Sequence, residues 1–351
     1  MRGERSASGT SLRETRRVHR PEEGNFAEHR GATRQPEGSS TEGRKSNLTR
    51  SWLAAARPRT VLLSLSGVLM GGFLAIHEDF FYPAPLVLAA LTAVLLQILS
   101  NLANDYGDFK KGVDNVHRTG PERTLQSGAL TERQMRWGIA IVAILCLISG
   151  GMLLLSGLLA HCSPKEIMVF AALGLCAILA ALLYTLGKHP YGYRGLGDLF
   201  CFIFFGWVAV VGSYYLVSPY FDFSVFLPAT AMGCCSNAVL NINNMRDYEN
   251  DKASGKKTLV VKKGLTWAFG YHVLLIASSF LCLSIYLWLR HSSWYTYAFW
   301  LLSPLFLKDL LTIYKQKERG VPDRLLPRQV LHTLLLTLVF GLLLNHNLLG
   351  F

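Results

Sequence analysis

The chain has 351 residues, of which 51% are hydrophobic and only 17% charged, against roughly 25% charged in an ordinary soluble domain. Its net charge is +12, but the first 50 residues alone hold 11 Lys+Arg and 7 Asp+Glu, leaving 24 basic and 16 acidic residues for the other 301. Those 301 residues contain repeated apolar runs of about 17–25 residues, the length that crosses a bilayer as helix. A soluble globular enzyme and a nucleic-acid binder are excluded. So is a secreted disulfide scaffold, because the seven cysteines lie mostly inside apolar runs, with no CxxC or His/Cys zinc spacing.

In chain order, residues 1–50 are rich in Arg, Glu, Gly and Ser. Such a segment buries too little apolar surface to offset the entropy of ordering, so a disordered tail is expected. It lacks an apolar core, which argues against a secretory signal, and its seven glutamates argue against an organellar transit peptide. Asn47-Leu48-Thr49 matches a glycosylation sequon, a pattern that occurs often by chance. From residue 51 to 351 the reading is one membrane domain. Nine spans are predicted, at roughly 60–76, 84–103, 137–160, 166–186, 199–218, 223–242, 268–289, 294–314 and 330–350. Alternating segments that would suit a barrel are absent from the sequence. An all-α polytopic membrane protein with nine transmembrane helices is therefore expected, each helix satisfying its own backbone in lipid.

The loops after the second, fourth, sixth and eighth spans carry 19 Lys/Arg, and the intervening loops only Lys165 and Arg290. Basic residues gather on the cytoplasmic side. The expectation is an integral protein of the cytoplasmic membrane with its N-terminus and its four basic loops inside.

Those basic loops also carry aspartates, which orientation alone does not require. Asn101, Asn104, Asp105 and Asp108 follow the second span; Asn243, Asp247 and Asp251 follow the sixth. Asn101, Asp105 and Asp108 fall at i, i+4 and i+7, and Asn243, Asp247 and Asp251 at i, i+4 and i+8, so as helix each set shares a face. Amide and carboxylate oxygens clustered in this way suit a hard cation such as Mg2+, which keeps waters and binds substrate phosphates. Like charges so spaced need a counter-ion. Arg118 and Arg123 follow the first set and Lys256 and Lys257 the second. Lys188, Tyr191, Arg194 and Asp198 lie in a glycine-rich linker between the fourth and fifth spans. Magnesium with lysine and arginine is what an anionic diphosphate requires, in binding and in departure.

At these residues the chain resembles the UbiA family of intramembrane aromatic prenyltransferases. The phrases that carry the resemblance are NLANDYGDFKKG (101–112), RTGPER (118–123), YTLG and PYGYRGLGD (184–198), FGW (205–207), NINNMRDYEND (241–251) and KTLVV (257–261). The NINNMRD phrase and the PYGY loop favour the branch that prenylates 1,4-dihydroxy-2-naphthoate. The resemblance implies nine helices around a central cavity, two Mg2+ ions, a polyprenyl diphosphate donor and an aromatic acid acceptor. It implies metal ligands at Asn104, Asp105 and Asp108 and at Asn243, Asp247 and Asp251, with the four aspartates catalytic. Arg118, Arg123 and Lys257 are expected to help hold the diphosphate, and Lys188, Tyr191 and Asp198 to bind the acceptor or handle protons. Where the family usually has a further acid in the first motif this chain has Gly112, with Asp114 two residues on. A different aromatic acceptor such as 4-hydroxybenzoate is the alternative within the family. A secondary transporter is the rival from another class. It would place ionisable groups in mid-span, whereas Lys308 and Asp309, the clearest charges inside a predicted span, are expected to snorkel.

Overall fold

The computed structural model describes residues 40–114, 120–157, 162–218, 220–318 and 320–346, with side chains from Asn47 onward. No strand occurs among the described residues. Helix α1 (Ser40–Ala56) begins inside the segment whose composition reads as a tail. It is followed by α2 (Pro58–His77), α3 (Pro83–Lys110), α4 (Glu132–Gly157) and α5 (Pro164–Leu183). Next come α6 (Gly197–Tyr215), α7 (Phe226–Arg246), the short α8 (Tyr248–Ala253) and α9 (Leu259–Lys263), α10 (Leu265–Leu289), α11 (Ser303–Gln316) and α12 (Leu325–Leu344). The spanning helices all lie within Gly43–Phe351.

Among the described residues, eight helical segments are long and apolar enough to cross a bilayer. The predicted span 294–314 differs from the other eight: Trp294–Leu302 is a nine-residue 3-10 helix, and the fourteen-residue α11 follows it. Pro304 sits in the first turn of α11. Proline lacks an N–H and disfavours α geometry in the residue before it, so the helix changes character there. Asp309 also departs from expectation. It is wholly buried, its carboxylate ion-paired with Arg328 and 2.9 Å from His332 Nδ1. The partners on α12 neutralise it inside the bundle, so the side chain does not snorkel.

Helix α7 is the most enclosed spanning segment, at 67% burial, and α5 the least, at 6%, so α5 turns its leucines and alanines to lipid. Small residues make the inner position of α7 possible, because in lipid helices associate by close backbone packing. At Gly206, within the π-helical turn Phe202–Val208 of α6, an added Cβ would stand 2.6 Å from the Ala229 carbonyl oxygen and 2.7 Å from Gly233 Cα. Only glycine lets α6 and α7 meet so closely. A π turn inside a helix often accompanies a functional site, and this one borders the cavity described next.

Candidate functional site

Helix α3 continues beyond its predicted end at 103 to Lys110, so Asn104, Asp105 and Asp108 are all helical. Gln97 donates to Asn101 Oδ1, and the Asn101 amide donates to the Ala56 carbonyl at 2.8 Å and to Thr60 Oγ1 at 3.1 Å. These bonds fasten the corner between α1 and α2. Arg57, at that corner, has a left-handed backbone (φ 50°). Its guanidinium donates to Asp105 Oδ1, and Arg123 Nε lies 3.4 Å from the same oxygen. Asp108 turns another way. It accepts from the Tyr193 hydroxyl at 2.6 Å, and Lys256 Nζ lies 3.4 Å from its other oxygen. Gly107, between the two acids, packs on Thr185, whose hydroxyl donates to the Ala103 carbonyl at 2.9 Å.

The second acidic set bends at the end of α7. Asn243 is helical, Asp247 is the residue between α7 and α8, and Asp251 lies in α8. The guanidinium of Arg246 grips Asp247 through both carboxylate oxygens at 2.9 and 2.7 Å, and also reaches Asn243 Oδ1 and Asp323 Oδ1. Asn250 donates to the Val113 carbonyl at 2.9 Å, tying the loop after α3 to α8. The Lys257 amide donates to the Tyr193 carbonyl at 3.1 Å, and Lys262 Nζ to that of Arg194. The loops after α3, α5 and α7 therefore converge, as expected of loops assigned to one side of the membrane.

Lys256 joins the two sets. It is buried, 3.4 Å from Asp108 and 3.9 Å from Asp251, so those two carboxylate oxygens are no further apart than the two distances combined. It also lies 5.3 Å above the Tyr193 ring. Burial acts to lower its pKa, but the attraction of Asp108 and Asp251 outweighs burial and raises it above the usual lysine value. Burial, then Asp108, raises the Tyr193 phenol. Both groups keep their protons at neutral pH and present donors to the carboxylates.

These side chains form the polar end of a cavity of about 820 Å3. Asn104, Asp108, Asn243, Asp247 and Asp251 line it, as do Arg57, Arg123 and Lys256. The rest of the wall is mostly apolar and continues between α4, α5 and α6 past Leu147, Gly151, Leu154, Phe170 and Trp207. Tyr184, Tyr191 and Phe200 give the cavity an aromatic stretch of wall. Tyr191 stacks on Phe200 at 4.2 Å between ring centroids and meets Tyr184 edge-on at 5.3 Å, with its hydroxyl donating to the Ala180 carbonyl at 2.8 Å.

Of the residues named from sequence, Asn101, Asn104, Asp108, Arg123, Tyr191, Asn243, Asp247, Asp251 and Lys256 line this cavity. Asp105 and Asp198 are buried but do not belong to its wall. Asp198 instead pairs with Tyr271, which accepts from Asn237 at 3.2 Å. Lys188 and Lys257 are exposed and off the wall, and Arg118 lies outside the described residues. Arg57 and Tyr193 went unselected, and Lys256 was named only together with its neighbour Lys257. Arg57 stands far from the acids in sequence, and adjacent Lys256 and Lys257 in a loop give no sign of which one faces inward.

Among the described residues no three Asp, Glu, His or Cys side chains gather into a closed metal cage. Mg2+ is ordinarily held by one or two carboxylates with waters and substrate phosphates. The open set of three carboxylates and two amides on one cavity, with cations beside it for the phosphates, fits that mode.

The described helices thus form a bundle whose cavity has an acid-and-cation end and an apolar arm. The model of the UbiA prenyltransferase family matches residues 64–338, and the chain belongs to that family. It is 41% identical over 295 residues to the 1,4-dihydroxy-2-naphthoate octaprenyltransferase of Escherichia coli, covering 84% of this chain and 94% of that one. It is 38% identical to the enzyme of the same name from Haemophilus influenzae, over 83% and 94%. Among solved structures, a UbiA homologue from Aeropyrum pernix superposes with a TM-score of 0.57 at 15% identity, covering 83% of this chain and 97% of the other. One from Archaeoglobus fulgidus bound to DMAPP and Mg2+ superposes with 0.55 at 16%, covering 84% and 99%. At those identities the likeness is one of fold.

Proposed function

We propose that the protein transfers a polyprenyl group from polyprenyl diphosphate to 1,4-dihydroxy-2-naphthoate with loss of carbon dioxide, giving demethylmenaquinol, the reduced (quinol) form of demethylmenaquinone. The observation that carries this reading is the single cavity that joins two acidic helix ends and three cations to an apolar arm. The naphthoate octaprenyltransferase names of the 41% and 38% identical relatives support the acceptor.

The apolar arm takes the isoprenoid tail, and Arg57, Arg123 and Lys256 face the diphosphate. Asn104, Asp108, Asn243, Asp247 and Asp251 would hold Mg2+ together with that diphosphate, and the metal would neutralise the leaving group so that the allylic C–O bond ionises. Lys256 keeps the two acidic sets together before substrate arrives. Tyr191, Tyr184 and Phe200 present flat aromatic faces, the two tyrosines with polar tips, which suit a bicyclic aromatic. The ring carbon that bears the carboxyl bonds to the prenyl carbon, and the carboxyl leaves as carbon dioxide with its bonding electrons returned to the ring. The basic loops support a polar end on the cytoplasmic side.

The test is release of labelled carbon dioxide from carboxyl-labelled naphthoate by purified protein with Mg2+ and a polyprenyl diphosphate, with the product identified by mass. Asp108→Asn, Asp247→Asn and Asp251→Asn should each reduce turnover by orders of magnitude. Prenylation that retains the carboxyl, or a preference for 4-hydroxybenzoate, would reassign the acceptor.

A further inference from the structure

The two acids of the first motif do different work. Asp108 lines the cavity; Asp105, three residues before it on the same helix, is only 2% exposed and absent from the cavity wall. Its Oδ1 is shared by Arg57 and Arg123, and both of those arginines line the cavity at its acidic end. We infer that Asp105 is not a metal ligand but a positioning residue, which clamps Arg57 and Arg123 so that their guanidinium groups are held towards the diphosphate of the prenyl donor. This rests on the proposed donor and assigns the site's two arginines to it.

Three observations support the clamp. Arg57 adopts a left-handed backbone at φ 50°, a strained state for a non-glycine residue that persists only where the surroundings impose it. The imposition is visible: Asn101, one turn before Asp105, holds the Ala56 carbonyl, and Thr60 donates to the Arg57 carbonyl at 3.0 Å. Asp105 and Asn101 thus fix the side chain and the backbone of one corner from a single face of α3. Finally, Arg57 Nε is buried with no hydrogen-bond partner among the described residues. A guanidinium carries five donors in a fixed fork suited to phosphate oxygens. Anchoring one edge on Asp105 lowers the ordering entropy that binding would otherwise cost and leaves the other edge for the ligand.

The experiment separates metal from anion. Mn2+ binding is followed by electron paramagnetic resonance in the presence of a non-ionising prenyl thiolodiphosphate, and KM for the donor is measured at saturating Mg2+. Asp105→Asn should leave Mn2+ affinity within about twofold of the parent while raising donor KM ten- to a hundredfold. Asp105→Glu, which keeps the charge, should recover much of that loss. Asp108→Asn should weaken Mn2+ binding more than tenfold. Arg57→Gln approaches the same pair from the other partner and guards against misfolding of the aspartate variant. Arg57→Gln combined with Asp105→Asn should lose little beyond the worse single variant, because residues acting as one unit are non-additive. Loss of Mn2+ affinity in Asp105→Asn equal to that in Asp108→Asn, or losses that multiply in the double variant, would overturn the inference. Binding is read without acceptor, so parent protein inactive on naphthoate would defeat the proposed reaction and leave this test in force.

Discussion

Replacing Lys256 with methionine removes the cation that, among the described residues, sits between both acidic sets, while keeping most of its volume. At 3.4 Å from Asp108 and 3.9 Å from Asp251, the two attractions are about 5 and about 4 kcal/mol at an effective dielectric near 20. Desolvation of the buried ammonium offsets several kcal/mol of this, and breaking a buried pair by removing one partner typically costs about 3–5 kcal/mol. With about 2–4 °C lost per kcal/mol in a large domain, Lys256→Met should melt roughly 6–20 °C below the parent in metal-free detergent. Magnesium should recover part of the loss, because a divalent cation restores positive charge between the carboxylates, and it should stabilise the variant more than the parent. The sign of the pH dependence follows from the raised lysine. A group whose folded pKa is raised contributes fully below its unfolded value, near 10.4 for lysine, and loses its contribution as pH rises through the folded value. The gap between parent and variant should therefore be flat from pH 6 to 9. The assay is thermal unfolding of the purified protein with and without Mg2+ over that range. An unchanged melting temperature without metal, or a loss that Mg2+ does not reduce, would refute the assignment of Lys256 as stand-in cation.

Asp309→Asn should lower stability by about 3 kcal/mol, since it leaves Arg328 and His332 beside an uncharged amide inside the bundle, and donor KM should hold; thermal unfolding and steady-state kinetics check both. Gly206→Ala should cost about 1–3 kcal/mol, because its Cβ would press on the backbone of α7, read as a lower melting temperature. With the seven native cysteines replaced by serine or alanine, Lys257→Cys should react with an impermeant thiol reagent in inverted vesicles and resist it in intact cells. Labelling from outside would reverse the orientation.

The bundle was legible from residue order because lipid leaves little choice: an apolar run of spanning length must be helix. Eight of the nine runs are continuous helices, and the break at Trp294–Leu302 has a visible source in Pro304. The grouping of acids was legible too, since i, i+4 spacing puts side chains on one face wherever the helix continues, and α3 does continue to Lys110. Sequence could not decide which way each charge turns. Asp105 and Asp108 are three residues apart on one helix, yet one faces two arginines and the other faces a tyrosine and a lysine, because different neighbours pack on each side of α3. Lys256 faces inward and Lys257 outward because the Lys257 backbone amide is pinned to Tyr193, which sets the register of the loop. Arg57 entered the site from a helix corner 48 residues before Asp105, a distance along the chain that no local spacing rule reaches. Local periodicity fixes helices and faces; the choice of partner for a charge depends on which helices meet, and that is a property of the packed bundle alone.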